Sequence, residues 1–119
     1  MTFERLDVVV VPFPFTDKLA TKRRPAVVIS TPGSLASGRA VLAMVTSSTR
    51  ETWPSDAHVQ DLADAGLTVP SLVRMKVFTL DESQILRRLG RLSERDGMQM
   101  ENALCGVFGL RSNREEEKG

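Results

Sequence analysis

The 119-residue sequence has one cysteine, one histidine, one tryptophan and no tyrosine. The lone Cys105 cannot form an internal disulfide, which fits a reducing compartment. One cysteine and one histidine cannot supply the usual tetrahedral zinc set. Proton exchange between two histidines is likewise excluded within one chain. There is no phosphate-binding Walker loop, no GxSxG elbow and no dinucleotide-binding glycine pattern. These absences remove the commoner enzyme classes, and no metal or cofactor is expected. Long apolar runs are missing too, and the first ten residues, MTFERLDVVV, do not read as a signal peptide. The expectation is a cytoplasmic protein with no membrane segment.

What is present suits one small folded domain. A chain of this length buries about two-thirds of the surface that its unfolded form exposes, enough for one core. Hydrophobic residues make up 41%, slightly below a typical globular value, and charged residues an ordinary 26%. The net charge is +1, but residues 114–119 hold two basic and three acidic side chains, so the remainder carries +2. Within it the basic residues cluster as Lys22, Arg23 and Arg24, as Arg74 and Lys76, and as Arg87, Arg88 and Arg91. Such clusters can form a local phosphate-binding patch or solvated faces offset by nearby acids. The domain is expected to span residues 1–110, followed by a polar, disordered tail over 111–119 (RSNREEEKG without an apolar anchor).

The first half reads as β. Residues 7–12 (DVVVVP), 25–30 (PAVVIS) and 40–45 (AVLAMV) are apolar, partly β-branched runs. Between the first two, PFPFTDKLATKRR reads as a long loop; between the second and third, TPGSLASG is rich in turn residues. A short strand is expected over 57–59. Another is expected over 71–78, with Leu72 and Arg74 on one face and Val73 and Met75 on the other. Asp81 can cap a helical turn over 82–86, and 87–92 reads as a last strand. Ser93 is a good N-cap for a helix, with Asp96 three residues on. Met100, Ala103, Leu104, Val107 and Phe108 form its apolar stripe, either core or a dimer surface, and Gly109 ends it. The pattern gives a mainly β, α+β fold: a small barrel of short antiparallel strands with a C-terminal helix.

Four stretches in order resemble the MazF/PemK toxins of type II toxin–antitoxin systems: DVVVVPFPFTD, KRRPAVVIS, VLAMVTSS with WPSD after it, and AGLTVPSLVRMKVFTLDESQILRRLGRLSERD. Together they cover residues from about 7 to 110. The resemblance implies an SH3-like barrel, a homodimer, and metal-independent cleavage of single-stranded RNA, an mRNA interferase activity. It also implies an antitoxin partner whose acidic, flexible segment covers the RNA groove. The family's catalytic arginine precedes the proline that opens the second strand, which falls on Arg24. Its catalytic threonine ends the third strand, which falls on Thr46. Two positions depart from the pattern. Leu6 stands where many members have glycine, and Ser48 where some have glutamine, so an RNA sequence preference does not carry over.

The chemistry explains those residue types. RNA carries its own nucleophile: the 2′-OH can attack the adjacent phosphorus and expel the 5′-oxygen. An enzyme must hold that geometry and stabilise charge on the phosphoryl oxygens. Arginine offers a planar, permanently charged fork to two phosphate oxygens. A threonine hydroxyl can donate to the phosphate or orient the 2′-OH. The candidate RNA-binding residues around this pair are Lys22, Arg23, Ser47, Ser48, Trp53 and Arg88. Trp53 can stack on an unpaired base or pack its loop onto the barrel. His58 reads as a surface residue of an edge strand. The competing function on the same fold is a toxin or binding module that does not cut RNA, such as a topoisomerase poison. An inactive relative that only binds an antitoxin is a third reading.

Overall fold

The structure, a computed structural model, describes residues 3–12, 22–36, 38–48 and 51–111. Among the described residues, six strands, two helices and a 3₁₀ turn follow in chain order: β1 (Asp7–Pro12), β2 (Arg23–Val28), β3 (Arg39–Ser47), β4 (Ala57–His58), α1 (Leu62–Ala65), β5 (Ser71–Asp81), the 3₁₀ turn (Glu82–Gln84), β6 (Arg87–Arg91) and α2 (Glu94–Phe108). The strands form one antiparallel sheet in the order β4-β5-β3-β2-β1-β6. The mainly β architecture with a C-terminal helix is therefore as the sequence implied, with the sheet curled into a half-barrel.

Both faces of the sheet are apolar, which is why its central strands lack clean alternation. One face packs Val8, Val27, Ala43, Val45 and Val73 with Leu92 and Met100. The other packs Val9, Val11, Ala26, Val28, Leu42 and Ile85 with Phe3. Two irregularities bend the sheet. The β1–β6 register shifts between Val8 and Val9. In the β3–β5 pair, Ala43 faces Val77 whereas Met44 faces Arg74, leaving Met75 and Lys76 as extra residues. Extra residues on one strand increase local twist. The expected alternation in β5 thus holds only to Arg74, and Leu72, Val73 and Arg74 are all buried.

The one-turn helix α1 packs on β6, so it bridges from the β4–β5 side of the sheet toward the opposite edge. The approach needs two glycines. A Cβ on Gly66 would lie 2.2 Å from the Leu89 carbonyl oxygen, and one on Gly90 would lie 2.4 Å from the Asp64 carbonyl oxygen. Gly66 also has φ +72°, a conformation that side chains disfavour.

Leu6 has φ +80°. A glycine would hold that conformation without steric cost. Leucine instead extends its side chain onto α2, where a Cβ on Gly97 would meet Leu6 Cδ1 at 2.9 Å. Leucine at this position thus exchanges backbone ease for packing against the helix.

A carboxylate clasp docks the start of α2. Ser93 caps the helix, its Oγ accepting from the Asp96 amide at 3.3 Å. Asp96 is buried and accepts the backbone N–H groups of Gln60 and Asp61, each at 2.9 Å. Asp61 in turn accepts from Ser93 Oγ and from two nitrogens of Arg95, at 2.8 and 2.7 Å. The Arg95 bonds first, then Ser93, hold the Asp61 carboxyl down at about 2.

Several boundaries differ from the sequence expectation. β2 starts at Arg23 rather than Pro25, because Arg23 and Arg24 continue the ladder with Pro12 and Val11. β3 runs to Ser47 and β5 to Asp81 because the two pair along their length. The turn after Asp81 covers only Glu82–Gln84, without a side-chain cap; Asp81 instead bonds Arg39 at 3.2 Å. The α2 stripe lies on the core only in part: Met100 is fully buried and Ala103 packs beside it, but Val107 and Phe108 are exposed. The expected loop over 13–21 and the tail over 112–119 lie outside the described residues.

Asp96→Ala should lower stability by about 2–4 kcal/mol, because it strands two backbone donors in a buried place; urea unfolding measures this. Asp61 has a folded pKa below its unfolded value of 3.8. Its contribution is therefore present above about pH 4 and is lost as pH falls toward 2. Arg95→Ala should move the Asp61 titration, followed by carboxyl NMR, upward. An unchanged midpoint would contradict the clasp.

Candidate functional site

The site begins where the β2–β3 ladder stops. Its paired residues are Ala26 with Met44, Val27 with Ala43 and Val28 with Leu42. The preceding residue, Pro25, has no N–H with which to extend it. Pro25 pairs with Val10 of β1, so the chain remains a strand on one side while its other side opens. Continuing the register would set Arg24 opposite Thr46. Both residues line the cleft that opens there, and both are half-buried.

This cleft encloses about 510 Å³. Lys22, Arg23, Arg24 and Pro25 form one wall and Val45, Thr46 and Ser47 another. The turn after α1 supplies Leu67, Thr68 and Val69. A second hollow of about 570 Å³ shares Arg23, Arg24, Pro25 and Leu89 and extends to Arg87. The two adjoin along these shared residues, and together this groove has four basic residues in its lining. Among the described residues, no carboxylate lines either part. A larger cleft of about 930 Å³ is different in character: Arg39, Arg87 and Arg88 mix there with Asp81 and Glu82. It contains neither Arg24 nor Thr46.

The candidates read from the sequence divide accordingly. Lys22, Arg23, Arg24, Thr46 and Ser47 come together in the groove. Ser48 lies one residue beyond β3, exposed, with its N–H donated to the Pro70 carbonyl at 2.9 Å. Arg88 stands apart, in the mixed-charge cleft, where Nε donates to Asp7 Oδ1 at 3.0 Å. Asp7 is buried and also takes the Glu4 N–H at 2.9 Å and Arg91 at 3.4 Å. Trp53 does not line the groove either. It sits on the loop before β4, with the Arg74 guanidinium 4.7 Å from its ring centroid. His58 is exposed on edge strand β4 as expected, in one transverse row with Leu72 and Thr46.

Two features were not read from the sequence. The 67–69 wall and Leu89 are ordinary residues whose place depends on α1 crossing β6. Arg74 looked like part of a basic patch with Lys76. It is instead buried and bidentate to Asp56, with Nε to Oδ1 at 3.0 Å and Nη2 to Oδ2 at 2.8 Å. Those bonds lead the causes that hold the Asp56 carboxyl below its ordinary range and push the Arg74 guanidinium up. The signal available was the Asp in WPSD, eighteen residues before Arg74, which the bulged strand brings into contact.

Chemically the groove can receive an extended polyanion. A phosphate between Arg24 and Thr46 would meet a forked cation and a neutral donor together. Lys22, Arg23 and Arg87 would add positive potential on either side.

The sequence model of the family described as PemK-like, MazF-like toxin of type II toxin–antitoxin system matches residues 4–108. Among solved structures, the toxin MazF-mt6 of Mycobacterium tuberculosis superposes with a TM-score of 0.69 at 18% identity, over 89% of this chain and 99% of that one. A chain of a MazE–MazF structure from Deinococcus radiodurans gives 0.71 at 16% identity, over 93% and 99%. An endoribonuclease in complex with its cognate antitoxin, from a mycobacterial species, gives 0.70 at 17%, over 92% and 98%. Comparison with curated proteins gave no match. Among the described residues, no helix is long and apolar enough to cross a membrane.

Inorganic triphosphate titrated into the protein should shift the amide NMR signals of Arg23, Arg24, Thr46 and Ser47. Lys22→Ala should weaken that binding several-fold, on the scale of one lost charge-assisted contact, and Arg88→Ala should not. Shifts centred instead on Phe3, Gly38 and Arg39 would place the anion site in the other cleft.

Proposed function

Because this chain belongs to the PemK-like, MazF-like toxins of type II toxin–antitoxin systems, we propose that it is a metal-independent endoribonuclease that cleaves single-stranded RNA, mRNA in particular. The observation that carries the reading is the meeting of Arg24 and Thr46 at the open end of the β2–β3 ladder, in a groove whose described lining is basic and without carboxylates.

In this mechanism the RNA backbone lies along the groove, with its scissile phosphate between Arg24 and Thr46. The 2′-oxygen attacks phosphorus as its proton leaves, and the bond to the 5′-oxygen breaks as that oxygen gains a proton. The products are a 2′,3′-cyclic phosphate and a 5′-hydroxyl. Arg24 stabilises the charge that grows on the non-bridging oxygens. The Thr46 hydroxyl donates to the same phosphate or orients the 2′-OH. Lys22, Arg23 and Arg87 hold neighbouring phosphates, and Ser47 adds a donor at the groove wall. DNA lacks the nucleophile and is not cut.

The same groove suits an antitoxin segment rich in carboxylates, which would compete with RNA and exclude it. The mycobacterial endoribonuclease that resembles this chain was solved with its cognate antitoxin, which supports a partner of that kind here. Action on mRNA places the protein in the cytoplasm, and a homodimer is the expected assembly.

Arg24→Ala should reduce single-turnover cleavage by on the order of a hundredfold or more, with a much smaller effect on RNA affinity. Thermal stability should barely move, since loss of a half-exposed arginine leaves no cavity. Arg24→Lys should recover part of the rate. Thr46→Val should also slow cleavage, and the double variant should be less than additive. A folded Arg24→Ala protein with near-normal turnover would instead favour a binding module that does not cut RNA.

An acidic antitoxin segment should displace RNA, and its affinity should fall as salt rises. Simultaneous binding without mutual effect would remove the shared groove.

A further inference from the structure

Arg74 is an expensive way to fill a barrel position. Its side chain is 10% exposed and that of its partner Asp56 3% exposed. A buried ion pair gives up hydration that an apolar residue of similar size would not need. Among the described residues, the bonds of this pair converge on the loop before β4. Arg74 Nη2 also donates to the Glu51 carbonyl at 3.1 Å. Asp56 Oδ2 takes the Trp53 N–H at 2.7 Å, and the Asp56 N–H returns to the Trp53 carbonyl at 3.0 Å. The guanidinium then lies over the Trp53 ring. Residues 51, 53 and 56 are thus fixed to β5 by one side chain. What the cluster holds in place is the only tryptophan of the chain, which remains 37% exposed.

The position relative to the groove is set by the sheet. Arg74 pairs with Met44, and Leu72 with Thr46. Arg74 is therefore one strand across and two residues along from Thr46, on the order of 8 Å between α-carbons by strand spacing and rise. The distance suits contact with a nucleotide adjacent to a phosphate held at Thr46.

We propose that Arg74 and Asp56 are positioning residues that hold Trp53 as a stacking platform for an unpaired RNA base next to the cleaved linkage. The inference rests on the reading that the groove holds RNA. One face of the indole is backed by the guanidinium, which fixes its orientation and adds cation–π attraction. The rest of the ring is left to a base. Stacking of this kind tolerates any base, because each has a π-face. Trp53 would raise affinity and set register while Arg24 and Thr46 act on the phosphate.

The probe is a short single-stranded RNA with 2′-O-methyl ribose throughout, which offers no nucleophile. It should quench the fluorescence of Trp53. Trp53→Ala should weaken its binding on the order of tenfold, in keeping with one lost base–aromatic stack, and Trp53→Phe should restore most of it. Replacing one nucleotide of the probe by an abasic site should weaken binding to the wild-type protein at one position only, and to Trp53→Ala at none. With cleavable RNA, Trp53→Ala and Arg74→Met should raise KM much more than they lower kcat. The Trp53 variants keep both charges of the Arg74–Asp56 pair, and Trp53→Phe also keeps a ring over the guanidinium, so they carry the test if Arg74→Met does not fold. A wild-type protein that cuts RNA with no quench, and whose KM is unmoved in Trp53→Ala, would overturn the platform while leaving the nuclease reading intact. Quench and a position-specific abasic effect without cutting would support the platform and count against the nuclease.

Discussion

The absent amide hydrogen of Pro25 is the constraint on which the groove depends. Val27 pairs with Ala43 in the interior of the sheet, and that pairing sets the parity of every residue along both strands. Moving outward by the same register brings Arg24 to Thr46. Pro25 lies between, and the ladder to β3 ends before it. A residue with an N–H there could carry the pairing on. With proline, β2 stays attached to β1 while its edge toward β3 opens. The same geometry that ends the sheet therefore brings a cation and a hydroxyl to one cleft.

The remaining wall depends on closure from the other side. α1 has only four residues and no side-chain cap, so it has little intrinsic stability. Contacts on both sides hold it. Gly66 and Gly90 let its end and β6 approach without a Cβ between them. Asp96 and Ser93 bind the turn before it to the start of α2. The chain that leaves α1 then supplies Leu67, Thr68 and Val69 to the groove. In this arrangement the C-terminal helix is more than a cover for the core: its first turn anchors the segment from which a wall of the groove is built.

Much of this was legible in the sequence where one kind of local signal dominated. The β-branched runs gave β1 to β3, and Ser93 with Asp96 gave the start of α2, because strand burial and capping act over a few neighbouring residues. The family resemblance, through the Arg-Pro pair and Thr46, gave the two residues that the groove brings together. Long-range geometry was less visible. α1 is too short for a periodic signal. Arg74 belongs by composition with Lys76, yet a bulge and a carboxylate eighteen residues earlier turn it inward. Arg88 reads as a phosphate ligand, and its bond to Asp7 shows only once β6 is placed beside β1. In each of these cases the partner that determines the outcome is distant in sequence.

The central claim is that RNA is cut by its own 2′-oxygen in a groove that needs no metal. It is tested most directly by mass spectrometry of the fragment ends after incubating the purified protein, in excess EDTA, with single-stranded RNA and with DNA of the same sequence. The account predicts RNA fragments ending in 2′,3′-cyclic phosphate and 5′-hydroxyl, with the DNA intact. Cleavage abolished by EDTA and restored by a divalent ion, or fragments carrying a 5′-phosphate, would contradict it.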